Sequence, residues 1–154
     1  MIAFANLSII LVILLSLFQF FIPVFFLKRK NLFLTNLVPF IALLSFFLLS
    51  VSFFILILSY INSDFSLFNV WANSHTSKPL IYKISGAWGN HEGSMLLWCW
   101  VMSLYGFLVS LNIQKISYDF KIRILMFQGI LCFGFVSFLF FGSNPFLRLD
   151  PAPI

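Results

Sequence analysis

Residues 5–27 read ANLSIILVILLSLFQFFIPVFFL, and Lys28-Arg29-Lys30 follow at once. The run contains no Asp, Glu, Lys, Arg or His. It meets the length of about 17–25 residues that a helix needs to cross a bilayer core. Hydrocarbon offers peptide groups no water, so the backbone must satisfy itself and the run should be helical. Three further runs pass the same test at residues 37–61, 94–111 and 124–141, again without an ionisable side chain. The expected fold is an all-α integral membrane protein. Residues 1–154 would form a single membrane domain with four transmembrane helices at about 5–27, 37–61, 94–111 and 124–141.

Composition agrees with this reading. The chain is 62% hydrophobic and 8% charged, whereas a soluble domain carries roughly 25% charged residues. The net charge of +5 does not point to nucleic acid, because the basic residues are few and sit between apolar runs. There they set orientation instead. Lys28, Arg29 and Lys30 occupy the first link, and Lys115, Lys121 and Arg123 occupy the link before the fourth run. Both links should face the cytoplasm or matrix. The link at 62–93 holds only Lys78 and Lys83, and the tail only Arg148. That link and both termini should therefore lie on the outer side, in a periplasm or intermembrane space. No positive charge precedes the first run and a basic triplet follows it, so the run is expected to stay uncleaved. Abundant Phe, Ile, Leu and Ser with scarce Ala imply an AT-rich coding sequence, as in an organelle genome or an AT-rich bacterium.

Several positions carry packing expectations. Pro39 should fall at the start of the second helix and Pro23 near the end of the first. Ser45, Ser52 and Ser59 recur every seven residues, and Cys99, Ser103, Gly106 and Ser110 make a small-residue seam. Such seams let helices approach closely. Cys99 and Cys132 have no CxxC or Cys/His spacing and should be buried free thiols. The outer link is far longer than the usual median of about 4–6 residues. It carries Phe65, Phe68, Trp71, Tyr82 and Trp88, which suit a packed segment at a membrane surface.

The chemistry concentrates at Trp88-Gly89-Asn90-His91-Glu92-Gly93-Ser94-Met95-Leu96-Leu97-Trp98. A zinc-protease HExxH would need histidine at 95, where Met95 stands. Gly89 and Gly93 permit a tight turn or a close approach, and Ser94 is the expected helix cap. His91, Met95, Trp98, Met102 and Tyr105 share one helical stripe, which could pack a flat ligand such as haem or another helix. His75 is the only other histidine. The two could ligate one haem iron axially, or each could be a hydrogen-bonded loop residue. Glu92 has no partner carboxylate and no Ser/His/Asp set is visible, so no catalytic residue and no metal site are assigned. Mid-membrane ionisable groups are missing, which argues against a proton pump or secondary transporter.

Taken in order, these residues resemble the cytochrome c maturation protein F (CcmF) family, the membrane haem-lyase component of the system I pathway. The family pattern reads approximately W-G-x-H-E-G-S-x-L-L-W, and Trp88, Gly89, His91, Glu92, Gly93, Ser94, Leu96, Leu97 and Trp98 match it in step. Asn73-Ser74, Pro79 and Tyr82-Lys83 resemble an upstream family track, and Ser143-Asn144-Pro145-Phe146 resembles a downstream S-N-P-F turn. The resemblance implies a cytochrome c biogenesis factor that takes haem from a haem chaperone and helps attach it to apocytochrome c. It implies haem as cofactor in the complete complex, with Trp88, Gly89, His91, Glu92, Gly93 and Trp98 supporting the haem and cytochrome site. The chain carries no W-W-D segment of the kind full members have. It is therefore expected to be the N-terminal part of a larger or split protein, not catalytic alone, partnered by the remaining fragments. The mitochondrial inner membrane, with organelle-encoded synthesis, is the expected location, and a bacterial inner membrane the alternative. The rival function is a structural or transport subunit of another membrane complex, respiratory or haem-exporting.

Overall fold

The structure is a computed structural model and describes residues 1–27, 32–111 and 116–150. The expected basic link at Lys28, Arg29 and Lys30, and Lys115 of the other link, lie outside the described residues. Six helices follow in order: α1 Ile2–Phe26, α2 Leu32–Ile61, α3 Phe68–Asn73, α4 Leu80–Gly86, α5 His91–Ser110 and α6 Tyr118–Gly142. Among the described residues, α1, α2, α5 and α6 are long and apolar enough to cross a membrane. The expected all-α architecture with four spanning helices is the one observed.

Several helix ends differ from the hydropathy reading, for one physical reason. Hydropathy marks where apolar residues end, whereas a helix continues as long as its backbone is satisfied. α5 starts at His91, three residues before Ser94, and its cap is Asn90, whose side chain accepts from Gly93 N. Ser94 does not cap; its hydroxyl donates to His91 O at 2.9 Å. α6 starts at Tyr118, so Lys121 and Arg123 belong to its first turns and not to a link. α2 starts at Leu32, which puts Pro39 two turns inside the helix.

The spanning helices close a ring in which α1 packs on α2 and α6, and α5 packs on the same two neighbours. The inward residues alternate in steps of three and four, as helices crossing at a shallow angle require. On α6 these are Ile122, Leu125, Gly129, Cys132, Val136 and Leu139. Ala5, Ile9, Val12, Leu49, Leu56, Leu96 and Cys99 are fully shielded in the same core. The serine stripe of α2 is buried at Ser45, Ser52 and Ser59, and Ser103 is buried on α5. Phe18, Phe40, Phe47, Phe54 and Phe127 point outward. Small and polar residues inside with bulky apolar residues outside is the arrangement expected where the solvent is lipid.

Two glutamines passed over by hydropathy join three helices. Gln19 of α1, almost wholly buried, donates to Leu125 O of α6 at 2.8 Å and is also hydrogen-bonded to Gln128 Oε1. Gln128 donates to Met102 O of α5 at 3.2 Å. Interhelical polar bonds in membranes contribute about 0.6–1.7 kcal/mol each. We expect Gln19→Leu to lower resistance to denaturing detergent by about 1 kcal/mol, since Leu125 O keeps its helical bonding capacity but Gln128 loses a partner. Unfolding monitored by helical circular dichroism in mixed micelles measures it, and unchanged stability would remove this pair from the forces holding α1 to α6.

One end of the ring carries both the 62–93 segment and the tail after α6. Helix α2 ends at Ile61, and in the turn beyond it Ser63 adopts a left-handed φ of 53° while Asp64 N returns to Ser59 O at 2.9 Å. Lys83 donates to Ser63 Oγ at 2.7 Å, tying α4 to that turn. Leu67 pairs with Arg148 in an antiparallel bridge, Phe68 N bonds Leu147 O, and Leu149 N bonds Ser66 O. Phe146 and Leu67 are buried in the main core, so the tail seals this end of the bundle. Asn144 reaches back to Asn6 Oδ1 at 3.1 Å.

Candidate functional site

The rim at this end is organised around one amide. Asn90 Oδ1 accepts from Gly93 N at 2.8 Å and from Asn69 Nδ2 at 3.0 Å. Its Nδ2 donates to Tyr60 Oη at 2.8 Å and to Gly86 O at 2.9 Å. An amide can accept twice and donate twice, so this side chain is fully used. Tyr60 is completely buried, and its hydroxyl in turn bonds the Asn69 side-chain oxygen. One network thus joins the end of α2, the short α3, the end of α4 and the start of α5. Tyr60 and Asn69 carried no signal in the motif. Asn90 stood in an unassigned place within it, although an Asn before an apolar run is a helix-start signal.

Gly93 is present for steric reasons. A Cβ there would lie 1.8 Å from Ala87 O, so the chain before α5 presses directly onto the helix. Gly93 is buried, and its missing side chain allows this approach. Gly89 is exposed in the turn between α4 and α5. Trp88 is partly exposed and its ring lies 6.1 Å from that of Phe53.

His91 and Glu92 occupy the first turn of α5. His91 is exposed, and its Nδ1 lies 3.1 Å from Ser143 Oγ. The two motif blocks, 52 residues apart in sequence, therefore meet at a single side-chain contact. In the tautomer that donates from Nδ1 to Ser143, Nε2 carries the free lone pair. Glu92 Oε2 sits 3.5 Å from Asn69 Nδ2, in the first turn of α5.

The remaining candidates stand apart from this rim. His75 pairs with Ser77 at 3.0 Å in the turn before Pro79, so the two histidines have different partners. Trp98 is two helical turns below the rim and 64% exposed on the outside of the bundle. Among the described residues no group of three or more His, Cys, Asp or Glu could hold a metal ion. One histidine nitrogen, one carboxylate and one indole on a packed platform can offer an axial ligand, a charge and a stacking face. They do not form a hydrolytic centre.

Comparison with known proteins identifies the family. The Cytochrome C assembly protein family matches residues 88–152, from the start of the rim motif to the tail. The cytochrome c-type biogenesis protein CycK of Rhizobium meliloti (strain 1021) is 40% identical over 146 residues, covering 95% of this chain and 22% of the relative. CcmF of Escherichia coli (strain K12) is 40% identical over 93 residues, covering 60% of this chain and 14% of the relative. The chain thus spans about a fifth or less of the length of these relatives. A solved structure described as Cytochrome c Heme Lyase CcmF superposes on 94% of this chain and 24% of its own, with a TM-score of 0.86. At 22% identity that likeness is one of fold. The chain belongs to the CcmF family.

Proposed function

We propose that the chain supplies the outer-face platform of a haem lyase, on which haem meets apocytochrome c. The observation that carries this reading is the His91–Ser143 contact, which joins two separate motif blocks beside Glu92 and Trp88. His91 presents its outer nitrogen to haem as an arriving substrate, Trp88 offers a face, and Glu92 tunes the local charge. Gly89 and Gly93 let this turn sit close to the bundle. Trp98 supports the site from within the membrane. The working assembly includes the rest of a CcmF-family protein, a haem chaperone and apocytochrome c. Haem vinyl groups and cytochrome thiols supply the bond-forming chemistry, with protein groups providing position and redox control.

The rim, both termini and residues 62–93 face the intermembrane space, and Lys121 and Arg123 mark the matrix side. The location is the mitochondrial inner membrane. The AT-rich composition supports synthesis inside the organelle, although the relatives described above are bacterial.

Complementation tests the reading in a strain lacking the complete protein, with this chain and the remaining portion co-expressed. Combining His91→Ala with Glu92→Ala should lower holocytochrome c about 10-fold or more at unchanged chain abundance, the scale seen when groups supporting a metal ligand are lost. Normal holocytochrome c with this chain omitted, or with both substitutions, would overturn the role given to the rim.

A further inference from the structure

The bundle does not present a uniform surface to its surroundings. The outward faces of α1 and α2 carry Leu14, Phe18, Phe40, Phe47 and Phe54, plain apolar groups that suit lipid. The outward face of α5 is different. Trp98 and Tyr105 are 64% and 65% exposed, and each carries a polar head. Neither makes a hydrogen bond among the described residues. α5 is 20 residues long, so it spans about 30 Å, the thickness of the hydrocarbon core. Trp98 then lies about 10 Å from the His91 end and Tyr105 about 7.5 Å from the other. With the two ends of α5 set at the two faces of the core, both rings fall inside the hydrocarbon and not in the interfacial belts where such rings normally rest.

The neighbouring face of α6 continues this surface. Met95 of α5 with Ile130, Leu131, Gly134, Phe135 and Phe138 of α6 lines an apolar groove of about 380 Å³. Gly134 lies on this groove, and nothing stands within 4 Å of where its Cβ would be. Among the spanning helices α5 is also the least apolar, and like α1 and α6 it is mostly uncovered by this chain. A helix of that composition is poorly matched to lipid on its open side. The relatives, meanwhile, are several times longer than this chain, which covers 22% of one and 14% of another.

We propose that the outward face of α5 and α6 is the docking surface for a transmembrane helix from the part of a CcmF-family protein that lies outside this chain. The occupant is apolar, because the groove is, and offers hydrogen-bond acceptors to the Trp98 Nε1–H and Tyr105 hydroxyl at membrane depth. Gly134 lets its backbone approach closely. The inference rests on the assembly reading above, since that reading supplies the partner.

The test uses the full chain in membranes, co-expressed with the remaining portion of the family protein. A benzophenone side chain is placed at Trp98, Leu131 or Phe135, and for comparison at Phe18 or Phe47. Cross-links to the remaining portion should form from the first three positions and not from the last two. Gly134→Leu adds bulk to the groove at a position whose Cβ meets nothing within 4 Å, and should lower co-purification about tenfold, while Phe18→Leu leaves it unchanged. Cross-links to the remaining portion from Phe18 or Phe47 alone, to a second copy of this chain, or to no protein at all overturn the proposal. Failure of the assembly reading is told apart by holocytochrome c. It would stay normal in cells lacking this chain, whereas a wrong docking face leaves maturation dependent on the chain.

Discussion

Gly93→Ala will cause the largest loss of stability of any glycine-to-alanine change in the chain. The new Cβ would stand 1.8 Å from Ala87 O and 2.8 Å from Ala87 C, both backbone atoms. No rotamer relieves a clash with backbone, so the turn before α5 must move as a unit. That movement also pulls Asn90 from Gly93 N, and the cap is lost with the fit. Overpacking typically costs about 1–3 kcal/mol, and loss of a cap adds about 1 kcal/mol. We expect about 3 kcal/mol or more, read as reduced unfolding resistance in detergent together with low chain abundance in the membrane. Gly86→Ala is the control. Its Cβ meets only the ring edge of Tyr60, at 3.1 and 3.2 Å, and a small shift can absorb it. Equal effects for the two substitutions would mean that the turn before α5 is not held as tightly as the contact implies.

Asn90→Asp should be nearly as damaging, for a reason of charge and not of size. The cap oxygen survives, so Gly93 N and Asn69 Nδ2 keep an acceptor. The donor side is lost. The buried Tyr60 hydroxyl, and Gly86 O, which keeps only Gly89 N at 3.2 Å, would face a carboxylate oxygen in place of Asn90 Nδ2. A buried acceptor left unpaired costs about 1–3 kcal/mol, and two negative charges, at 90 and 92, would share the start of α5. We expect a loss of about 2–3 kcal/mol for Asn90→Asp, and a similar loss for Asn90→Ala, which forfeits all four bonds without adding charge. Asn90→Ser, which retains a cap oxygen only, separates capping from bracing. If Ser matches the wild type in thermal unfolding, the cap alone matters and the bonds to Tyr60 and Gly86 contribute nothing. These substitutions act on the platform, whereas His91→Ala with Glu92→Ala acts on its surface. The two classes should therefore separate in chain abundance against holocytochrome c.

The membrane architecture was legible at once, because hydrocarbon imposes a local rule that every apolar run of spanning length must obey. The helix ends were less so. Asn90, Leu32 and Tyr118 each cap or begin a helix at a place hydropathy does not mark, since caps and first turns sit outside the apolar run they introduce. The rim motif was equally visible, and its histidine, glutamate and glycines could be named in order. Its meaning in space was not. The match at nine of eleven positions pointed to the family, yet said nothing of why Gly93 must be glycine.

By itself, then, the sequence determined four uncharged spanning runs, their small and polar inward stripes, and the block that ties the chain to its family. Only the tertiary structure decided that Ser143 meets His91, that Tyr60 and Asn69 complete Asn90, and that Gln19 joins Gln128. Partition into lipid depends on residues read one run at a time. A hydrogen bond between partners 21 to 109 residues apart depends on how the helices pack, and no local pattern carries that information.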